Sequence, residues 1–456
     1  MSGERGIMRT PNRKSPSAVS RRTALKTAAA GTLAATGLAA WGGKAPLFAQ
    51  QRKLHMLLNS NFRPLFDVEI RKLAVEYKDV AGVEVTTEHI TNNDVPGRLT
   101  AAIESGTGMD LSIVQWNQAH IYANGFVDVS DIVAGSGGDK IYPWHRAANQ
   151  VDGVFRAYPW YVLCSGMTYN KAMCDNLGIT KFPDTYDELV VAGKKMKQAG
   201  TPVGWCLGHT NGDGAFGNYP IFWNFGAMEV DDKSRVVINS KEARLAIEWM
   251  RQFWFDACDE SGMGWSDASN NQAFLARSIA AAYNPSSIYL TARANAKSAR
   301  EKGNQSTETL WDTLASNVRH TLGPAGPAGR WHLNQPVNFG ILRKSPNIDA
   351  AKEFMKWLVM KPRFDRLFIA GGGFIQGNSP EWETHPFWNT DPIVAPFATV
   401  PRFSRNLGYK GPYNRASAEV QNKYIIADTL ARGIRDGADS ALKWAEQELT
   451  AIYSRA

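Results

Sequence analysis

Residues 157–189 read AYPWYVLCSGMTYNKAMCDNLGITKFPDTYDEL. The run from Tyr158 to Leu163 is apolar and aromatic throughout, the composition of a buried strand. The other end is a helix start that can be read residue by residue. Pro183 cannot occupy a helix interior, so the helix begins after it. Thr185 is placed to cap it with a hydroxyl, and Glu188, three residues on, to reach back to the cap's own N–H. Leu189, Val190 and Met196 supply an apolar stripe, and Gly200 is placed to stop the helix. A strand therefore leads through a polar connection into a capped helix.

Upstream, residues 53–58 read as a short apolar strand, followed by the polar loop Asn59-Ser60-Asn61-Phe62. Leu65, Ile70, Leu73 and Tyr77 recur at helical spacing, and residues 83–87 form a second strand. Leu99, Ala102 and Ile103 mark a second helix, and residues 110–114 a third strand. Strands alternating with helices imply an α/β fold with mainly parallel sheet and right-handed crossovers. Ligands in such sheets sit beyond the C-terminal strand ends. That rule singles out residues 59–62 and Gln115-Trp116-Asn117.

Downstream, residues 203–207 and 337–342 read as strands, and residues 240–255 and 349–359 as helices. Gly323-Pro324-Ala325-Gly326-Pro327-Ala328-Gly329 is the strongest linker signal, but it is too short to separate independent domains. The chain has 456 residues, enough for two or three domains. No uncharged apolar run reaches the ~20 residues a membrane helix needs. The net charge of +8 is local: residues 1–50 hold eight Lys/Arg and only Glu4, leaving 43 basic and 42 acidic residues in the remainder. That distribution gives no support to nucleic-acid binding.

The basic segment has the order of an export signal. Ser20-Arg21-Arg22-Thr23-Ala24-Leu25-Lys26 resembles the twin-arginine motif, residues 28–43 carry no charge and are rich in Ala and Gly, and Leu47-Phe48-Ala49 offers a cleavage site. No Cys follows the apolar stretch, which speaks against a lipid anchor. The expectation is a signal over residues 1–49 and a periplasmic mature chain. Cys164, Cys174, Cys206 and Cys258 form no C-x-x-C pair, and their pairing is open.

As an ordered series, Ala102-Ile103-Glu104-Ser105-Gly106, Gly125-Phe126-Val127-Asp128-Val129, Tyr169-Asn170-Lys171, Pro183-x-Thr185-Tyr186-Asp187-Glu188-Leu189 and residues 274–282 resemble family 1 of the extracellular solute-binding proteins of ABC importers. This is the branch that includes maltose-binding protein. Ala276-Arg277 stands where the family has Gly-Lys. The resemblance implies two α/β lobes, each a mainly parallel sheet flanked by helices, with the ligand cleft between them. It implies an N-terminal lobe of residues 50–157 and 332–380 and a C-terminal lobe of residues 158–331 and 381–456. It also implies delivery of a sugar or polyol to inner-membrane permease subunits, by a monomer that uses no cofactor and catalyses nothing.

Gly212-Asp213-Gly214-Ala215-Phe216-Gly217 is literally G-x-G-x-x-G, the one enzyme-like signal. It lies deep in the chain, Asn218-Tyr219-Pro220 should break an immediate helix, and no acidic residue ends a following strand at about the 20-residue distance of a dinucleotide fold, so a plain flexible loop is expected. The eight His residues show no i,i+4 pair and none adjoins a Cys, so no zinc site is indicated. The alternatives are a twin-arginine-exported, cofactor-dependent oxidoreductase built on the Gly212 loop, and a ligand sensor for a membrane receptor. Sugars stack their C–H faces on aromatic rings and bond their hydroxyls to amides and carboxylates. Asn61, Trp116, Asn117, Trp160, Tyr161, Trp223, Asn224, Tyr283, Asn284 and Phe374 are therefore the candidate ligand residues, with Arg402 and His120 secondary.

Overall fold

The computed structural model describes residues 53–455. The expected twin-arginine signal and its cleavage near Ala49 lie outside the described residues. Twelve strands occur among the described residues: β1 Lys53–Asn59, β2 Glu84–Ile90, β3 Leu111–Gln115, β4 Gln150–Val151, β5 Val154–Phe155, β6 Tyr158–Leu163, β7 Gly166–Asn170, β8 Val203–Gly204, β9 Ala281–Asn284, β10 Val318–Thr321, β11 Gln335–Ile341 and β12 Ile375–Gln376. They build a six-stranded sheet in the order β12-β6-β11-β3-β1-β2, a four-stranded sheet in the order β10-β7-β9-β8, and a small β4-β5 hairpin.

Both larger sheets are mixed, where sequence alternation predicts mainly parallel ones. Parallel pairing is confined to β1 with β2 and β3, and to β8 with β9. These are strands joined by crossovers within one lobe. Strand β11 re-enters the first sheet from the other lobe, so no helical crossover dictates its direction, and it pairs antiparallel with both β3 and β6.

The stretch at 157–189 does what its residues imply, with one shift. Thr185 Oγ1 accepts from Glu188 N while the Glu188 carboxylate accepts from Thr185 N, closing the capping box of helix Tyr186–Gln198. Gly200 follows its C-cap at φ +80°, a left-handed conformation that costs glycine nothing. Strand β6, however, belongs to the first sheet, so the chain changes sheet at Cys164-Ser165, not at residue 157. Leu163 pairs with both Gln335 and Ile375 there, which buries all six residues of β6. Residues 381–403 also depart from the expected division. Trp382 packs on Phe364 at 4.7 Å in the first lobe, whereas Phe397 packs on His320 at 4.8 Å in the second, so this segment bridges the two.

Three chain crossings meet at His332. Its Nδ1 is 3.2 Å from Ser165 O and 3.3 Å from Tyr283 OH, its N–H donates to Phe403 O, and its carbonyl accepts from Arg405 N. Burial pushes its pKa down to about 4, so the ring is neutral at physiological pH. The Gly323–Gly329 linker is docked, with Ala328 N donating to Asn224 O at 2.8 Å. All four cysteines are buried free thiols.

Candidate functional site

The strand ends of the two sheets face each other across a narrow slot. From the first lobe it is lined by Asn59, Phe62, Asn92, Leu163, Gln335 and Phe374. These residues sit at the C-terminal ends of β1, β2 and β6 and the N-terminal ends of the antiparallel β11 and β12, which is one edge of the sheet. The second lobe contributes Gly212, Asp213, Phe216, Asp267, Asn284, Pro285 and Ser287. The slot holds about 30 Å³, the room of one water molecule. A larger ligand therefore enters only when the lobes part. A roomier cavity of about 790 Å³ lies near Arg63 and Arg293. It is walled largely by helix surface and by side chains already paired, such as Arg300 with Asp312, instead of strand ends, and is the poorer site.

Two features of the slot call for a ligand. Gln335 is 1% exposed, and neither its Nε2 nor its Oε1 has a hydrogen-bond partner. Leaving a buried amide unpaired costs about 1–3 kcal/mol per group, a cost that a bound hydroxyl would remove. The second feature is a carboxylate pair. Asp213 is buried, Asn270 Nδ2 donates to its Oδ2 at 2.6 Å, and burial together with the neighbouring Asp267 charge holds its carboxyl well above the usual range. Asp267 Oδ1 accepts from Gly212 N at 3.3 Å and Asp213 N at 2.9 Å. Asn284 is locked beside them, receiving from Asn270 and donating to Asn271 Oδ1 at 3.0 Å and Ser287 Oγ at 3.1 Å.

The lobes also touch beside the slot. Trp116 leaves β3 at φ +53°, a strained conformation for a bulky residue. Its indole N–H reaches the second lobe, 3.0 Å from Asn211 O and 2.8 Å from Asn211 Oδ1, with Phe216 5.7 Å away. Asn117 Nδ2 bonds Asn414 O and Ser417 Oγ, tying the same loop to the C-terminal helices.

The candidates from sequence divide accordingly. Asn284 and Phe374 line the slot. Trp116 and Asn117 are lobe-to-lobe contacts. Asn61 holds the loop after β1, with its N–H donating to Asp67 Oδ2 and its Oδ1 accepting from Arg63 N. Trp160 and Tyr161 are core of the first lobe: Trp160 stacks on Phe339 at 5.3 Å, and Tyr161 packs on Phe66 at 5.4 Å. Trp223 is core of the second lobe, 5.6 Å from Tyr219. Asn224 pins the linker and accepts from Trp331 N, and Tyr283 abuts Trp205 and His332. Arg402 pairs with Glu383 and His120 bonds Ala147 O, both away from the slot.

The Gly212 segment is no plain loop. It forms helix Asp213–Phe216, followed at once by helix Asn218–Phe225. Pro220 is tolerated because it lies in the first turn, where its missing N–H has no intrahelical partner to lose. Asp213, Phe216, Asp267 and Gln335 were therefore missed as site residues. Asp213 was visible inside the Gly-rich run; nothing local marks Asp267 or Gln335.

Fold and slot together define a two-lobed ligand-binding protein. The profile of the bacterial extracellular solute-binding proteins matches residues 65–360, and the chain belongs to that family. Among solved structures, maltose-bound MalE3 of T. maritima is similar at a TM-score of 0.73 and 19% identity, covering 88% of this chain and 99% of that one. A solute-binding protein of Thermotoga lettingae bound with alpha-D-tagatose has a TM-score of 0.73 at 17% identity, covering 88% and 100%. One from Agrobacterium radiobacter in complex with ribitol has 0.68 at 18%, covering 88% and 98%. No curated protein matches the chain.

Proposed function

We propose that this protein is the substrate-binding component of an ABC importer for a carbohydrate or polyol. It is exported by the twin-arginine route, works in the periplasm as a monomer, and presents its two closed lobes to inner-membrane permease subunits. The observation that carries the reading is the buried, unpartnered Gln335 amide in a slot lined by strand ends of both lobes. Asn59, Asn92, Asn284 and Gln335 offer the planar amides that sugar hydroxyls require, and Phe62, Phe216 and Phe374 the apolar faces. Solved structures of like fold with maltose, tagatose or ribitol support the ligand class. The Gly212 segment supports an oxidoreductase less well, because it is spent on lining the slot with a side chain, Asp213.

The test is a thermal-shift screen of the purified protein against sugars, polyols, amines and phosphate esters. A ligand at 100 times its Kd should stabilise the fold by about 2.7 kcal/mol. Stabilisation only by phosphate esters, or by none of the panel, would refute the sugar or polyol assignment.

A further inference from the structure

The slot is electrically lopsided. Asp213 and Asp267 line it, and no Lys, Arg or His does. Neither carboxylate has an ion-pair partner among the described residues, although 27 such pairs occur elsewhere. Both are held in place: Asp267 by the backbone N–H groups of Gly212 and Asp213, and Asp213 by Asn270. Burial and the Asp267 charge together keep a proton on Asp213, because no cation stands by to let both groups ionise. Neutral hydroxyls can bond these carboxylates too, but they bring no charge to balance them. A neutral sugar leaves the Asp267 charge unbalanced, and an anionic one would be repelled by it.

We propose that the ligand carries a protonated amino group, as in an amino sugar or aminocyclitol, and that this group sits between Asp213 and Asp267. The inference rests on the slot being the ligand site, as proposed above. An ammonium is a compact donor of three hydrogen bonds and can bridge two carboxylates at once. The ring of Phe216, on the same side of the slot, gives the cation a π face. The unpartnered Gln335 amide, on the opposite lobe, then meets the hydroxyl end of the ligand. Charge recognition falls to the second lobe and hydroxyl recognition to the first, so only a molecule with both ends holds the lobes together.

The experiment compares matched probes on the purified full chain by calorimetry: D-glucosamine with D-glucose and N-acetyl-D-glucosamine, and the glucosamine dimer with N,N′-diacetylchitobiose and cellobiose. The amine member of a set should bind at least tenfold more tightly than its neutral partners. Asp213→Asn and Asp267→Asn, isosteric changes that keep an oxygen for the Asn270 amide and for the backbone donors respectively, should each weaken the amine member at least thirtyfold and the neutral members less than threefold. Losing one partner of a desolvated charge pair has effects of that size. Melting curves confirm that each variant is folded, and either variant suffices if the other is not. Neutral members binding as tightly as amines would overturn the inference and leave the sugar-binding reading intact. No binding by any member, neutral or cationic, would overturn both.

Discussion

Replacing Trp116 with Phe tests whether the lobe contact beside the slot governs binding. The substitution keeps a ring facing Phe216, 5.7 Å away, and removes the N–H that donates to Asn211 O at 3.0 Å and to Asn211 Oδ1 at 2.8 Å. The two acceptors share one hydrogen, so the loss is that of about one neutral hydrogen bond, roughly 0.5–1.5 kcal/mol, plus part of the cost of a buried acceptor left unpaired. About 2 kcal/mol leaves the closed form, close to thirtyfold in the closing equilibrium. Each lobe's own core is untouched, so the ligand-free melting temperature should stay nearly constant while Kd rises by up to about thirtyfold. Calorimetry with the ligand from the screen measures Kd, and X-ray scattering follows closure through the radius of gyration. Asn211→Ala removes the Oδ1 acceptor but keeps the main-chain carbonyl, so it should cost less, and the double variant should lose little more than Trp116→Phe alone. A Kd within twofold of the unmodified protein, with closure unchanged, would refute the reasoning. So would a large drop in melting temperature, which would make Trp116 a core residue instead.

Three further outcomes are expected. Trp223→Ala should lower stability by about 3–5 kcal/mol, as for an emptied core site, and leave the affinity of the folded protein unchanged; lost binding at a normal melting temperature would contradict its placement beside Tyr219. The buried Glu229 carboxyl has its pKa pushed up from 4.5 to about 8 by burial. The folded chain keeps a proton there that the unfolded chain gives up, so stability should fall as pH rises through that window, by up to about 1.4 kcal/mol per unit, and level off above it. Glu229→Gln should remove that slope in denaturant titrations, and identical pH profiles of the two proteins would count against it. Arg21→Lys with Arg22→Lys should leave the precursor in the cytoplasm, and normal accumulation of the double variant in a periplasmic fraction would defeat the twin-arginine assignment.

Local chemistry was legible in the residues. The capping box at Thr185 and Glu188 and the stop at Gly200 depend on contacts within a few positions of the chain. The strand-end rule singled out the loops after β1 and β3, and the structure puts the first in the slot and the second in the lobe contact beside it, because the first three strands follow one another through crossovers that fix their direction. What a strand's neighbours are once the chain has left for the other lobe is not a local matter. Strand β11 returns antiparallel, β6 joins the first sheet, and Trp160, which reads from sequence like a sugar platform, is enclosed between Phe66 and Phe339. A Trp in the core and a Trp in a cleft have the same letter and often the same flanking residues; only the other faces of the ring distinguish them. The slot itself draws Gln335, Asp213 and Asp267 from segments more than fifty residues apart, one of them inside a Gly-rich run that looked like an idle loop. Their approach exists only when both sheets are formed and the lobes meet, so tertiary structure alone assembles the slot proposed here as the ligand site.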